Sequence, residues 1–353
     1  MYYERKVALS IWRVYLPILV VVGTLGNLMT IIFLMQLRYC NSSIARYLTA
    51  LAVSDVMMLW IAVPRSVLHF GYGIDIRSSS QFVCKVQLFY LLYLAGQSSA
   101  WFIVILTIER FISAWLPIKA KAICTVRRAN IVILSLLAFF IVLNAHFLYG
   151  MGHAKGNMCY QMDDSYTNFY FYIWSVIQLS VFFLLPLTIL MVINISIIIR
   201  VLITGRKYQT QVIPQALTTA ARARKAKNYQ ITAMLIAVNV VYMICMTPIL
   251  VFLTSYTGWV LSHGDENSDA VLELIWAIIN ALFYTNYAVN FILYFVSGSR
   301  FRSEVVRIFC QRKNSCPIIC RWNWWHSWGR NANISTVEGN MNIELQNVTV
   351  SQE

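Results

Sequence analysis

Seven long apolar stretches decide what this chain can become. A helix needs roughly 20 apolar residues to cross about 30 Å of hydrocarbon. The sequence holds seven such runs, approximately at 14–37, 47–70, 84–112, 129–150, 169–203, 229–256 and 271–296. Soluble domains carry about a quarter charged residues, whereas here 12% of 353 residues are charged and 59% are hydrophobic. The segments between runs are short, so the expected fold is an all-α membrane protein, a seven-transmembrane helix bundle forming one membrane domain. No internal repeat of the kind that builds inverted-repeat transporters is visible. The first run continues past Phe33 with no small-residue cleavage site, which reads as a signal-anchor helix and not as a removable signal peptide.

The basic residues orient the bundle. Of 28 Lys and Arg, 21 fall at 38–46, 110–128, 200–227 and 300–330. Lys and Arg collect on the cytoplasmic side of a membrane, so the expectation is a multi-pass plasma-membrane protein with its N-terminus outside. The net charge of +14 is mostly this asymmetry. Basic residues that flank spans meet acidic membrane lipids, and nucleic acid is not an expected partner. The expected division is an extracellular N-terminus (1–13), the membrane domain (14–297), an amphipathic juxtamembrane helix (298–311) and a largely disordered cytosolic tail (312–353).

The cysteines follow the same map. Cys84 opens the third run and Cys159 lies in the second outer segment, where an oxidising exterior favours a disulfide between them. Cys40, Cys124 and Cys245 read as thiols. Cys310, Cys316 and Cys320 follow the last run closely and are candidates for S-palmitoylation, with plain thiols as the alternative. The glycosylation patterns at Asn333 and Asn347 lie on the cytosolic side in this topology and are not usable there. Trp322, Trp324, Trp325 and Trp328 read as an interfacial anchor.

Polar residues inside the runs are functional candidates by default. The helical rise of about 1.5 Å per residue turns position into depth. On that ruler Asp55 lies about 12 Å from the inner end of its run, Ser99 about 16 Å, Asn290 about 10 Å and Asn27 about 15 Å, with Asn286 one turn above Asn290. These five residues are expected to form one polar cluster able to hold water and a sodium ion. The alternative is a set of separate helix–helix hydrogen bonds. The inner halves of runs four, five and six read as nearly all apolar, which counts against a channel or transporter.

The run-three end "TIERFISAWLP" (Thr107 to Pro117) places a charge pair at the membrane edge. With Gly26-Asn27, "LAVSD" (Leu51 to Asp55), Cys84, Cys159, Pro186, Pro248 and "NFILY" (Asn290 to Tyr294) followed by Phe301, it resembles the rhodopsin-like class A G-protein-coupled receptors over about residues 10 to 310. The resemblance implies that Glu109 holds Arg110 at rest and releases it to a heterotrimeric G protein when span six swings at Pro248. Tyr294 and Asn290 belong to the same coupling switch, and arrestin is a further candidate partner. Departures are Met246, Phe291, Asn194, Ala100 and Tyr242, where the family carries tryptophan, proline, tyrosine, isoleucine and phenylalanine. Asn228 stands where an acid would complete the latch, so looser resting control and some basal activity are expected.

The expected ligand pocket comprises Arg65, Leu92, Tyr93, Gln97, Gln178, Trp276, Asn280 and Tyr284. By the resemblance, Leu92 replaces the aspartate of amine receptors and Tyr284 replaces the retinal lysine of opsins, so neither ligand is expected. Asp163, Asp164, Asp265, Glu266, Asp269 and Glu273 form an acidic outer rim that suits a peptide with basic residues. The stretches "CKVQLFYLLYLAG" and "TIERF" are similar to invertebrate neuropeptide receptors, including the FMRFamide-type group. No cofactor beyond the candidate sodium is expected. An enzyme is not expected either, because no catalytic grouping, metal-spaced set or phosphate loop is present. The alternative readings are a non-signalling decoy or trafficking protein and, behind it, a transporter or channel.

Overall fold

The computed structural model describes residues 2–35, 42–153, 158–210, 219–262, 266–297 and 302, with side chains described throughout except at 88, 204–210, 219–229, 255–262 and 266–268. Among the described residues seven helices are long and apolar enough to cross a membrane: Tyr3–Leu34, Ser43–Gly71, Val83–Trp115, Val126–Gly150, Asp164–Ile203, Gln230–Thr254 and Asp269–Ala288. They are numbered here as spans one to seven. Residues 2–13, read from sequence as a segment preceding the membrane domain, are helical from Tyr3, so the first helix reaches beyond its apolar run. The juxtamembrane helix, the three candidate palmitoylation cysteines Cys310, Cys316 and Cys320, and the tail lie outside the described residues.

The spans are not uniform cylinders. Wide π-helical turns occur at Ile11–Tyr15, Val67–Gly71, Val83–Tyr90, Phe169–Trp174 and Leu179–Leu184. Two of them lie just before Pro17 and Pro186, where the missing N–H and the ring's clash with the preceding turn oppose regular α-helix. The loosened turn before Pro186 is used: Trp101 Nε1 of span three donates to the Val181 carbonyl at 2.9 Å.

Span seven is interrupted at Val289 and resumes as the helix Asn290–Ser297, although Phe291 has replaced the proline that would explain a break. Asn27 Nδ2 of span one donates to the Tyr287 carbonyl at 2.9 Å. That carbonyl is the one the next helical turn would use, so a side chain on span one does the work expected of proline. The approach is close because Gly23 has no side chain; a Cβ there would sit 2.7 Å from the Ala288 Cβ.

One end of the bundle is tied by covalent and aromatic contacts, and is called the disulfide end below. Strands β1 (Met151–His153) and β2 (Cys159–Gln161) pair antiparallel, with Gly152 opposite Tyr160. Cys84 and Cys159 form the expected disulfide between the start of span three and β2. Beneath it Phe89, Tyr93, Phe147, Met151, Tyr166 and Trp174 make a buried cluster. The loop after span two is clamped by Arg77, whose guanidinium forks onto Asp75 and holds its carboxyl down at about 2. A ring nitrogen of His153 lies 2.9 Å from the Arg77 carbonyl, joining this loop to β1. The opposite end carries Glu109 and Arg110.

Candidate functional site

The middle of the bundle is organised around one acid. Asp55 of span two is fully buried. Ser99 Oγ of span three donates to Asp55 Oδ1 and Asn290 Nδ2 donates to Asp55 Oδ2, both at 2.6 Å. One carboxylate therefore bridges spans two and three and the helix that follows span seven. A carboxylate in so apolar a setting is tolerated when its lone pairs are met by donors or a cation, and here each oxygen has one donor.

The other two members of the expected cluster are placed differently. Asn27 spends both of its Nδ2 hydrogen bonds on backbone, at Gly23 and Tyr287. Asn286 Nδ2 is buried without a hydrogen-bond partner among the described residues, as are the hydroxyls of Tyr242 and Tyr287. The helix break at Val289 falls between Asn286 and Asn290.

A second polar layer lies nearer the arginine end. Asn239 Nδ2 of span six donates to Thr107 Oγ1 at 2.9 Å and to Asn194 Oδ1 at 3.0 Å. All three residues are buried, and the trio joins spans three, five and six. This corrects the reading of those inner halves as apolar. Asn194 and Asn239 lie eight and nine residues from Pro186 and Pro248, about 12 to 14 Å by helical rise, so helical rise alone puts them at one level.

Glu109 and Arg110 are both buried, but among the described residues no ion pair joins them, and Glu109 Oε2 and Arg110 Nε have no hydrogen-bond partner. The expected latch within the pair is therefore absent. Adjacent residues on a helix point about 100° apart and do not face each other. Burial, and after it the Glu109 carboxylate, push the Cys124 thiol above its ordinary value, which places Glu109 towards the short segment after span three. Tyr294 is buried. Asn228 lies among the residues whose side chains are not described.

The residues of the expected ligand pocket divide among several contacts. Gln97 Oε1 accepts from Asn144 Nδ2 of span four at 2.7 Å, and Gln97 is fully buried. It stands two residues from Ser99, about 200° round the helix, so it must face away from Asp55. Tyr93, one turn before Gln97 on the same face, stacks on Phe147 with ring centroids 4.9 Å apart and meets Trp174 edge-on. Leu92 packs against the same cluster.

Tyr284 exchanges a 2.8 Å hydrogen bond with Ser66, and Asn280 Nδ2 donates to its own helix at Trp276. Gln178 is half-buried between two wide turns. Arg65, also half-buried, lies within electrostatic reach of Tyr93 and Tyr284. Of the eight residues only Trp276 borders a cavity of about 490 Å³, found where spans one, two, six and seven reach the disulfide end.

Comparison with known proteins agrees with this architecture. The profile of the family described as "7 transmembrane receptor (rhodopsin family)" matches residues 26–294. Neuromedin-U receptor 2 of Rattus norvegicus is 24% identical over 324 residues, covering 85% of this chain and 74% of the relative. The FMRFamide receptor of Drosophila melanogaster is 23% identical over 331 residues, covering 88% of this chain and 56% of the relative. The thyrotropin-releasing hormone receptor of Mus musculus is 32% identical over 139 residues, 38% of this chain and 35% of the relative.

Proposed function

The chain belongs to the rhodopsin family of seven-transmembrane receptors, and from that premise we propose that it binds a short extracellular peptide and activates a heterotrimeric G protein inside the cell. It is a multi-pass membrane receptor and not an enzyme. The peptide class is supported by relatives whose names specify neuromedin U, FMRFamide and thyrotropin-releasing hormone, and by the acidic residues at the disulfide end. The orientation rests on the distribution of Lys and Arg and on the disulfide, which belongs to an oxidising exterior. The disulfide end then faces outward at the plasma membrane and the arginine end faces the cytosol, where the G protein and arrestin would meet it.

The observation that carries the mechanism is the stacking of two hydrogen-bonded layers above Arg110. The Asp55 layer joins spans two, three and the helix after seven; the Asn239 layer joins three, five and six. Together they hold the bundle in a state where Arg110 is buried. Pro248, inside span six, lets the helix swing about a weakened turn. Such a swing parts Asn239 from Thr107 and Asn194 and opens a groove in which a G-protein helix would dock beside Arg110. A peptide shifts the bundle only by its differential affinity for the two states. Arg65, half-buried on the outer side, suits a carbonyl or carboxylate of that peptide.

A sodium ion suits the Asp55 layer, since the buried carboxylate and the Ser99 hydroxyl are both oxygen donors. An ion there would stabilise the state that buries the acid. Asp55→Asn is expected to remove about fivefold or more of sodium's effect on peptide affinity, measured by comparing dissociation constants in sodium chloride and in a large organic-cation chloride. Unchanged sodium sensitivity would contradict the site. The function itself is tested by nucleotide exchange on purified heterotrimers: the reconstituted chain with an activating peptide should accelerate GDP release over a receptor-free control, and no acceleration by any peptide or heterotrimer would count against it.

A further inference from the structure

At the disulfide end the bundle has an open cavity of about 490 Å³ bordered by Arg5, Phe70, Phe252, Asp269, Glu273 and Trp276. That volume lies within the ordinary range of ligand pockets. Its floor is aromatic. Phe70 meets Trp276 edge-on with centroids 6.3 Å apart, and Trp276 lies 5.1 Å from Phe252. Trp12 of span one stacks on Phe70 at 4.7 Å, so a row of rings crosses the outer ends of four spans. Over this row stand two carboxylates one helical turn apart, Asp269 and Glu273.

The position of Arg5 is informative. Its Nε donates to Glu273 Oε2 at 2.8 Å and its Nη2 to Glu273 Oε1 at 3.0 Å, a two-pronged fit of guanidinium to carboxylate. The side chains remain 40% and 50% exposed. An ion pair so wetted is worth little and opens readily. Asp269 makes no hydrogen bond or ion pair among the described residues. The pocket thus contains its own cation, held at its rim, with a second carboxylate in reserve and π faces beneath, which attract cations in their own right.

We propose that this cavity is the subsite for a cationic side chain of the extracellular peptide, with a neighbouring aromatic residue lying on Phe70 and Trp276, and that Arg5 is an internal competitor which the peptide's guanidinium displaces from Glu273. The subsite rests on the reading of the chain as a peptide receptor. The first helix, extended outward to Tyr3, then has a purpose: it carries a tethered cation that keeps Glu273 occupied until a better-buried one arrives. Ligands with one positive charge beside an aromatic ring are selected, and neutral or acidic peptides are not.

The test uses the full-length chain in phosphatidylglycerol nanodiscs and two probes, the N-acetylated tripeptide amide Ac-Phe-Arg-Phe-NH2 and its uncharged counterpart with citrulline in place of arginine. Binding is titrated by saturation-transfer NMR. The arginine probe is expected to bind about tenfold or more tightly than the citrulline probe, and Glu273→Gln to abolish that preference. Arg5→Ala is expected to tighten the arginine probe by about two- to fivefold, the range set by an exposed ion pair, where a merely structural Arg5 would loosen it. Arg5→Lys, which keeps the charge and loses the fork, should fall between the parent and Arg5→Ala. Equal binding of the two probes, no binding of either to parent or Arg5→Ala, or weakening by Arg5→Ala would overturn the proposal. G-protein activation is not read in this experiment, so charge-selective binding without signalling would leave the subsite standing and count against the receptor mechanism alone.

Discussion

Asn239→Leu is expected to raise ligand-independent nucleotide exchange by about five- to thirtyfold. The substitution removes two interhelical hydrogen bonds, to Thr107 and Asn194. Such bonds in membrane bundles are worth about 0.6 kcal/mol on average and up to about 1.7 kcal/mol, so the pair contributes roughly 1 to 2 kcal/mol to the state that buries Arg110. Every 1.4 kcal/mol is about tenfold in a ratio of states. Leucine leaves little strain behind, because Thr107 keeps a bond to the Ile103 carbonyl and Asn194 keeps one to the Leu190 carbonyl of its own helix. The basal exchange rate of reconstituted protein, normalised to folded chain, is the measurement. Asn194→Leu should act in the same direction, and the double variant should add little to either, since all three residues share one network. A basal rate unchanged or lowered by Asn239→Leu would mean that the layer is packing and no latch.

Replacing both Cys84 and Cys159 by serine is expected to lower stability by about 2 to 4 kcal/mol and to deplete the cell surface of receptor. The bridge closes a sequence separation of 75 residues, which spans all of span three, span four and β1. It also anchors β2 over the Phe89, Tyr93, Phe147 and Trp174 cluster, so its loss is expected to free spans three, four and five together at the disulfide end. Thermal unfolding in detergent and surface labelling of intact cells report the two effects. A midpoint within about 1 °C of the parent, with normal surface density, would show that aromatic packing alone carries this end of the bundle.

Much of this arrangement is legible in the sequence because a helix converts residue number into depth. The seven spans, the Cys84–Cys159 pair and the meeting of Asp55, Ser99 and Asn290 all follow from level alone. What level does not supply is rotation. Gln97 and Ser99 lie at nearly one depth but on opposite faces, and the 100° step would have sent Gln97 to span four. The same step separates Glu109 from Arg110, so an ion pair between these neighbours was never favoured by helix geometry. Asn27 departs for another reason: its amide is spent on the Gly23 and Tyr287 carbonyls, while Asn286 Nδ2 has no hydrogen-bond partner among the described residues. Wide turns at five places change the face presented on either side, and only those before Pro17 and Pro186 have an evident sequence cause.

The altered landmarks acquire physical roles on this view. Asn194, in place of an expected tyrosine, is a member of the Asn239 layer. Phe291, in place of proline, lies against Gly26, where an added Cβ would come within 3.0 Å of it, while Asn27 maintains the break. Met246 is fully buried in span six. The departures are thus built into the packing of the bundle, and while no ion pair joins Glu109 to Arg110 among the described residues, Asn239, Thr107 and Asn194 hydrogen-bond spans three, five and six together.

The central claim is that an outward-facing peptide site controls an inward-facing Arg110. Its most direct test is peptide-driven dissociation of heterotrimeric G proteins in transfected cells, screening short amidated and free-acid peptides against the parent and Arg110→Ala at matched surface density. A peptide carrying a basic residue is expected to dissociate the heterotrimer through the parent, and Arg110→Ala to abolish the response while staying at the surface. Silence of the parent towards every peptide and G protein, without basal signal, or a response that survives Arg110→Ala, would contradict it.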